Sequence, residues 1–113
     1  MVMSVEQERS DQKQSADNRL AERNAVQMLA DLRLGVGQKF KVSVLDLSRT
    51  GFRLETGNHI AVGKNIFLTI PDFTSLAARI AWNHGTIYGC EFASPLHQSV
   101  FEHIARKHPA ITN

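Results

Sequence analysis

The chain has 113 residues, enough for one domain built around one hydrophobic core. Apolar residues make up 42% and charged residues 21%, which excludes a chain that is disordered throughout. The net charge of +2 is compatible with an anionic partner, but there is no long Lys/Arg stripe typical of non-specific nucleic-acid binders. The lone Cys90 excludes an intramolecular disulfide and suits a reducing compartment. No apolar run reaches the roughly 18 residues of a membrane span, and the polar N-terminus does not resemble a signal peptide, so we expect a cytoplasmic protein.

The N-terminal segment is polar. Between Ser4 and Asn18 only Val5 and Ala16 are apolar, and charges of both signs alternate. Such a segment buries too little surface to offset the entropy lost on ordering it. We therefore predict a flexible tail over residues 1–17, one domain over residues 18–108, and a C-terminal tail over residues 109–113.

Apolar residues at every second position predict six short strands. The first strand is the least certain, because Ala25, Leu29 and Leu32 would also suit one face of a helix. Its alternating residues are Val26, Met28, Ala30, Leu32 and Leu34. The other five strands are predicted at Phe40–Val44, Phe52–Leu54, Asn65–Ile70, Ala78–Trp82 and Tyr88–Phe92.

A helix is predicted after the last strand. Ser94 suits the N-cap and Pro95 the first helical position, while Pro109 ends the helix. An apolar stripe follows, formed by Leu96, Val100, Phe101, Ile104 and Ala105. The fold class predicted is all-β with a terminal helix: a six-stranded antiparallel β-barrel with the helix packed beside it.

A polar segment, Asp46-Leu47-Ser48-Arg49-Thr50-Gly51, lies between the second and third predicted strands. Asp46 offers a carboxylate that only accepts hydrogen bonds, and Ser48 offers a hydroxyl that donates and accepts. Gly51 permits a positive φ or a close backbone approach that a Cβ would block. These residues suit a simple β-turn, and they equally suit a binding site at the rim of the sheet.

Two arginines, Arg19 and Arg23, stand four residues apart just before the first strand. Alone, such a pair is most simply two solvated arginines on a tail. The pair followed by an Asp-x-Ser-x-x-Gly pattern, on an all-β background, is much less frequent by chance.

These two patterns resemble the signature motifs of the PilZ domain family, which are Arg19-x-x-x-Arg23 and Asp46-x-Ser48-x-x-Gly51 here. The similarity extends over roughly Asn18 to Lys107, so the chain looks like a stand-alone PilZ domain. The resemblance implies a six-stranded barrel with a C-terminal helix. It also implies binding of the bacterial second messenger cyclic di-GMP, in signalling that controls motility and biofilm formation.

The resemblance assigns the ligand-binding role to Arg19, Arg23, Asp46, Ser48 and Gly51. The arginines would bind guanine O6/N7 edges or phosphates, and Asp46 would accept from guanine N–H groups. Ser48 would hydrogen-bond a base or order the loop. Many family members carry a basic residue where this chain has Asn18, which leaves open whether one or two ligand molecules bind.

The expected activity is binding without catalysis. No metal or cofactor is expected, because the five histidines show no metal-ligand spacing and Ser48 lacks the setting of a nucleophile. The signal would pass to an unidentified downstream protein when binding orders the segment from Asn18 to Asn24. The alternative is a ligand-independent adaptor for motility, pilus or secretion machinery. We expect a monomer or weak homodimer. A DNA or RNA partner is not expected, because aromatic residues interleaved with Lys/Arg are scarce.

Overall fold

The computed structural model describes residues 23–110. Six antiparallel strands form a closed barrel in the order β1-β2-β3-β6-β5-β4, and β4 pairs with β1 to complete it. The predicted fold class, six antiparallel strands and a terminal helix, is therefore confirmed. The elements are β1 (Arg23–Arg33), β2 (Lys39–Ser48), β3 (Gly51–Glu55), β4 (Asn65–Thr69), β5 (Ser75–His84), β6 (Ile87–Phe92) and α1 (Gln98–Lys107).

Side chains of alternate residues fill the barrel interior. Along β1 the buried residues are Val26, Met28, Ala30 and Leu32, two positions apart, so the first element is a strand and not a helix. The same alternation buries Phe52 and Leu54 in β3. Burial of these apolar side chains is the main favourable term for the fold.

A β-bulge at Leu45 changes which side chains of β2 face inward. Val44 pairs with Leu54, and the next pair is Asp46 with Arg53, so Leu45 is an extra residue without a partner on β3. Strict alternation after Val44 would have turned Asp46 inward and Leu47 outward. The bulge reverses this, so Leu47 is buried in the core and Asp46 lies on the outer face beside Arg53.

The boundary between the second and third strands differs from the prediction. Asp46, Leu47 and Ser48 were expected to lie between the strands, but they belong to β2. Only Arg49 and Thr50 connect β2 to β3. Alternation could not reveal this longer strand, because the bulge at Leu45 interrupts the pattern.

A second bulge determines which face of the barrel carries Trp82. Alternation grouped Trp82 with the inward-facing Ala78 and Ile80. The register slips by one residue at Ala81, since Ile80 pairs with Cys90 and Trp82 with Gly89. Trp82 therefore lies on the outer face and is 41% exposed.

The N-cap of the helix lies three residues later than the predicted N-cap at Ser94. The N-cap is His97, whose side chain accepts from the Ser99 amide. Leu96 stays outside the helix because its backbone amide and its carbonyl are both hydrogen-bonded to Arg49. The Leu96 amide donates to the Arg49 carbonyl at 2.7 Å, and Arg49 Nε donates to the Leu96 carbonyl at 2.7 Å.

Helix α1 packs against the end of the barrel where β1 begins. Because neighbouring strands are antiparallel, β2 ends and β3 begins at this same end. Phe101, Ile104 and Ala105 are the buried residues of α1. After the helix, the Gln27 amide donates to the His108 carbonyl at 3.0 Å, and Val26 forms a β-bridge with Pro109. The segments that carry the two signature patterns thus meet beside the helix.

Candidate functional site

The hydroxyl of Ser48 organises the turn between β2 and β3. Ser48 Oγ accepts from the backbone amides of Thr50 at 3.2 Å and Gly51 at 3.1 Å. It also donates to the Gly51 carbonyl at 3.2 Å and lies 3.2 Å from the hydroxyl of Thr50. Ser48 is buried, so these contacts belong to loop ordering, the second of the two roles that the sequence suggested.

Gly51 is required by a close approach of two strands. A Cβ on Gly51 would lie 2.2 Å from the carbonyl oxygen of Cys90 on the neighbouring strand β6. Its φ is not among the positive values of the described residues. Of the two reasons that the sequence allowed for glycine, the close approach applies and the positive φ does not.

The carboxylate of Asp46 lies between two arginines. Arg53 Nε donates to Asp46 Oδ2 at 2.5 Å, and Arg23 Nη1 donates to Oδ1 at a longer 3.4 Å. The Asp46 side chain is only 6% exposed, whereas Arg53 is 43% exposed. A buried carboxylate is stable only when it is paired and hydrogen-bonded, and here the two guanidinium groups supply both conditions.

The arginine pattern is only partly within the described residues. Arg19 lies outside them. Arg23 is the first residue of β1, pairs with Ser48 of β2, and has a half-exposed side chain that reaches Asp46. The structure therefore brings one arginine of the first pattern into contact with the acidic residue of the second.

A cavity of about 170 Å³ lies where the two patterns meet. It is lined by Arg23, Ser48, Thr50, Gly51, Phe52, Arg53, Ala81, Trp82, Gly89, Cys90 and Glu91. Two larger grooves, of about 490 and 400 Å³, open elsewhere on the barrel. Residues of the signature patterns line neither of them, so the smaller cavity is the candidate site.

Arg53 is a site residue that sequence reasoning missed. Its position between the buried Phe52 and Leu54 marks it only as an outward-facing residue of β3. The sequence does not reveal the bulge at Leu45, and only this bulge places Arg53 opposite Asp46.

Trp82 and Gly89 form one wall of the cavity. The two residues pair across β5 and β6, and Gly89 also pairs with Arg53 across β3 and β6. A Cβ on Gly89 would lie 2.1 Å from the indole atoms Cε2 and Nε1, so the ring lies directly over the glycine backbone. The absence of a side chain at Gly89 leaves the space that the indole occupies.

Cys90 contacts the cavity but its thiol is not a reactive group. Burial raises the pKa of Cys90 to about 12, so the thiol stays protonated at neutral pH. Within residues 23–110 there is no group of three or more His, Cys, Asp or Glu side chains that could hold a metal ion. The same residues contain no helix with the length and apolarity needed to cross a bilayer.

Comparisons with known proteins agree with this architecture. A family model described as the PilZ domain matches residues 17–107. The fold is similar to the crystal structure of the PilZ domain of CeSA from a cellulose-synthesizing bacterium, with a TM-score of 0.56 and 13% sequence identity over 76% of this chain and 93% of that chain. No curated protein matches the chain. Since the family model covers most of the sequence, the chain belongs to the PilZ domain family.

Proposed function

We propose that this PilZ domain binds cyclic di-GMP, the ligand for which the family is known, at the cavity between the two signature patterns. One observation carries the proposal: Arg23, from the first pattern, and Ser48 and Gly51, from the second, line the same cavity. The ion pair between Arg23 and Asp46 joins the two patterns there.

The charge of the site suits an anionic ligand that has guanine bases. Arg23 and Arg53 flank the carboxylate of Asp46, so these three groups carry a net positive charge. Glu91, the other carboxylate at the cavity, is paired with Arg79. Cyclic di-GMP has two phosphates and two guanines, and a guanidinium fork matches both a phosphate and the O6/N7 edge of guanine. Ser48 and Gly51 act indirectly in this proposal, because they fix the turn that holds Asp46 in place.

The cavity is too small to enclose the whole ligand. Its volume of about 170 Å³ is below the roughly 300–1,000 Å³ of pockets that enclose small molecules. One base or phosphate would enter it, and the rest of the ligand would lie over the outer face. Arg19, which precedes β1 by four positions, would cover that exposed part.

The proposed signal is a change in the segment before β1. Arg23 and Asn24 already pair with Ser48 and Leu47, so ligand-linked ordering would concern residues 18–22 and not extend into β1. Contacts from Arg19 to the ligand would supply the free energy for fixing this segment across the cavity. A downstream protein would then meet a different surface. Backbone NMR relaxation tests this step, which fails if the Arg19 amide has the same dynamics with and without cyclic di-GMP.

Calorimetric titration with cyclic di-GMP tests the proposed function. We expect saturable binding, and the stoichiometry will show whether one or two ligand molecules bind. Arg23→Ala should weaken binding by about 1.5–3 kcal/mol, because it removes charge-assisted hydrogen bonds. Arg33→Ala is the matched control: it removes the same charge from the other end of β1, where Arg33 lies over the Phe67 ring.

The titration also separates the two candidate functions. A ligand-independent adaptor would give no saturable heat with cyclic di-GMP although the protein is folded. Equal affinities for the Arg23→Ala and Arg33→Ala variants would place the binding site away from this cavity.

A further inference from the structure

We infer that Arg53, which belongs to neither signature pattern, contacts the ligand directly and recognises the O6/N7 edge of one guanine base. The inference rests on the proposed function and deepens it by assigning a specificity-determining residue. Three features of Arg53 carry it: how its side chain is held, which of its nitrogens stay available, and what lies next to it.

Asp46 holds Arg53 by one nitrogen only. The contact at 2.5 Å joins Arg53 Nε to Asp46 Oδ2. Because Asp46 is nearly buried and is held in β2, this contact fixes the direction of the guanidinium group. A side chain that is fixed before binding loses less conformational entropy when a ligand arrives.

The outer edge of the guanidinium group remains open. Among residues 23–110, neither terminal nitrogen of Arg53 has a hydrogen-bond or ion-pair partner. These two nitrogens form the fork that donates two parallel hydrogen bonds to paired acceptors. Arg79, on the same outer face, differs in this respect, because its Nη2 donates to Glu91 at 2.5 Å.

The neighbouring surface favours a base over a phosphate. Arg53 pairs with Gly89, whose backbone is covered by the indole of Trp82. The indole is 41% exposed, and it lines the same cavity as Arg53. A purine can use both features, since its face stacks on an aromatic ring and its O6/N7 edge accepts from the fork. A phosphate would use the fork alone.

The experiment compares cyclic di-GMP with its 7-deazaguanine analogue, which lacks the N7 acceptor but keeps both phosphates. Calorimetric titrations use the wild type, Arg53→Ala, Arg53→Lys and the control Arg33→Ala. We expect Arg53→Ala and Arg53→Lys to weaken cyclic di-GMP binding about 5- to 150-fold, the range for a bidentate base contact. Arg33→Ala removes an arginine from the far end of β1, where it lies over the Phe67 ring away from the cavity, and should bind as the wild type does.

The analogue gives the decisive readout. The wild type and Arg33→Ala should bind the 7-deaza ligand more weakly than cyclic di-GMP, and this penalty should be smaller in the Arg53 variants because they have already lost one of the N7 contacts. Arg53→Lys keeps a cation beside Asp46, so it guards against a loss of folding in Arg53→Ala. A penalty for the analogue that is the same in the wild type and the Arg53 variants would overturn the inference. If the wild type binds neither ligand, it is the proposed function that fails.

Discussion

At the scale of single residues, the site depends on side chains that hold other side chains. Ser48 satisfies the amides of its own turn, and Asp46 fixes two arginines while being nearly inaccessible itself. The groups that an incoming ligand meets first are therefore guanidinium groups. Substitution of Ser48 or Asp46 can therefore weaken ligand binding indirectly, by displacing the neighbouring groups that they hold. Binding and stability must for this reason be measured on the same variants.

Gly51 gives the sharpest test at this scale. Gly51→Ala should lower the free energy of unfolding by at least about 1–3 kcal/mol, because the new Cβ would lie 2.2 Å from the Cys90 carbonyl oxygen and push β3 from β6. Urea unfolding measures the change. Gly57→Ala is the control, since a Cβ at Gly57 meets nothing within 4 Å and its φ is not positive. Equal stability of the two variants would show that β3 and β6 accommodate the added methyl group.

At the scale of secondary-structure elements, α1 is attached to both segments that build the site. Arg49, in the turn between β2 and β3, holds Leu96 just before the helix through two hydrogen bonds of 2.7 Å. At the other end, Gln27 of β1 holds the His108 carbonyl. A displacement of either site segment would therefore alter the hydrogen bonds at one end of the helix.

Arg49→Ala should loosen the start of α1 without unfolding the barrel. Removing the bond to the Leu96 carbonyl should cost about 1 kcal/mol locally, because Arg49 is partly exposed to water. The amides of Leu96 and Phe101 should then exchange with solvent about fivefold faster, as measured by hydrogen exchange. Arg106→Ala removes an exposed arginine from the helix itself and serves as control. Unchanged exchange in Arg49→Ala would mean that the buried face of α1 alone positions the helix.

The sequence was sufficient for elements whose alternation is uninterrupted, and it failed at bulges. The buried faces of β1, β3 and β6 follow directly from residues at every second position. Asp46 and Trp82 lie just beyond extra residues at Leu45 and Ala81, which no local pattern marks. Their outward positions, and hence the proximity of Arg53, depend on strand register, which only the folded barrel defines.

The site residues divide in the same way. Arg23, Asp46, Ser48 and Gly51 were found because their motif spacing resembles a family pattern, and the structure brings them to one place. Their ligand-binding roles remain predictions, as does the role of Arg19, which lies outside the described residues. The start of α1 was misplaced because the backbone of Leu96 is held by Arg49, a residue far away in the sequence.

At the scale of the whole molecule, barrel closure protects the core from solvent. The pairing of β4 with β1 leaves no open edge in the six-stranded sheet. Cys90, the only cysteine, lies inside this barrel. Its ionisation is therefore coupled to unfolding of the barrel.

Stability should fall at alkaline pH for this reason. The pKa of Cys90 is about 12 in the folded protein, against about 8.5 for an exposed thiol. Below about pH 8.5 the thiol is neutral in both states. Above it only the unfolded state loses the proton, so the free energy of unfolding decreases until the pH reaches the folded pKa. Urea unfolding at pH 8 and 10 should show a steeper loss for the wild type than for Cys90→Ala. Parallel losses would show that other groups cause the alkaline effect.

The β-bridge between Val26 and Pro109 also determines how this domain can be joined to other proteins. The Ala110 amide lies 3.4 Å from the Ala25 carbonyl, so the chain enters and leaves the barrel at adjacent points. A domain with this arrangement can be inserted into a surface loop of a host protein without separating the two ends of that loop. Because Arg23 is two residues from Ala25, any fused domain or affinity tag after Ala110 would also stand next to the candidate cavity. Fusion proteins used in binding measurements should therefore carry a long flexible linker at that exit.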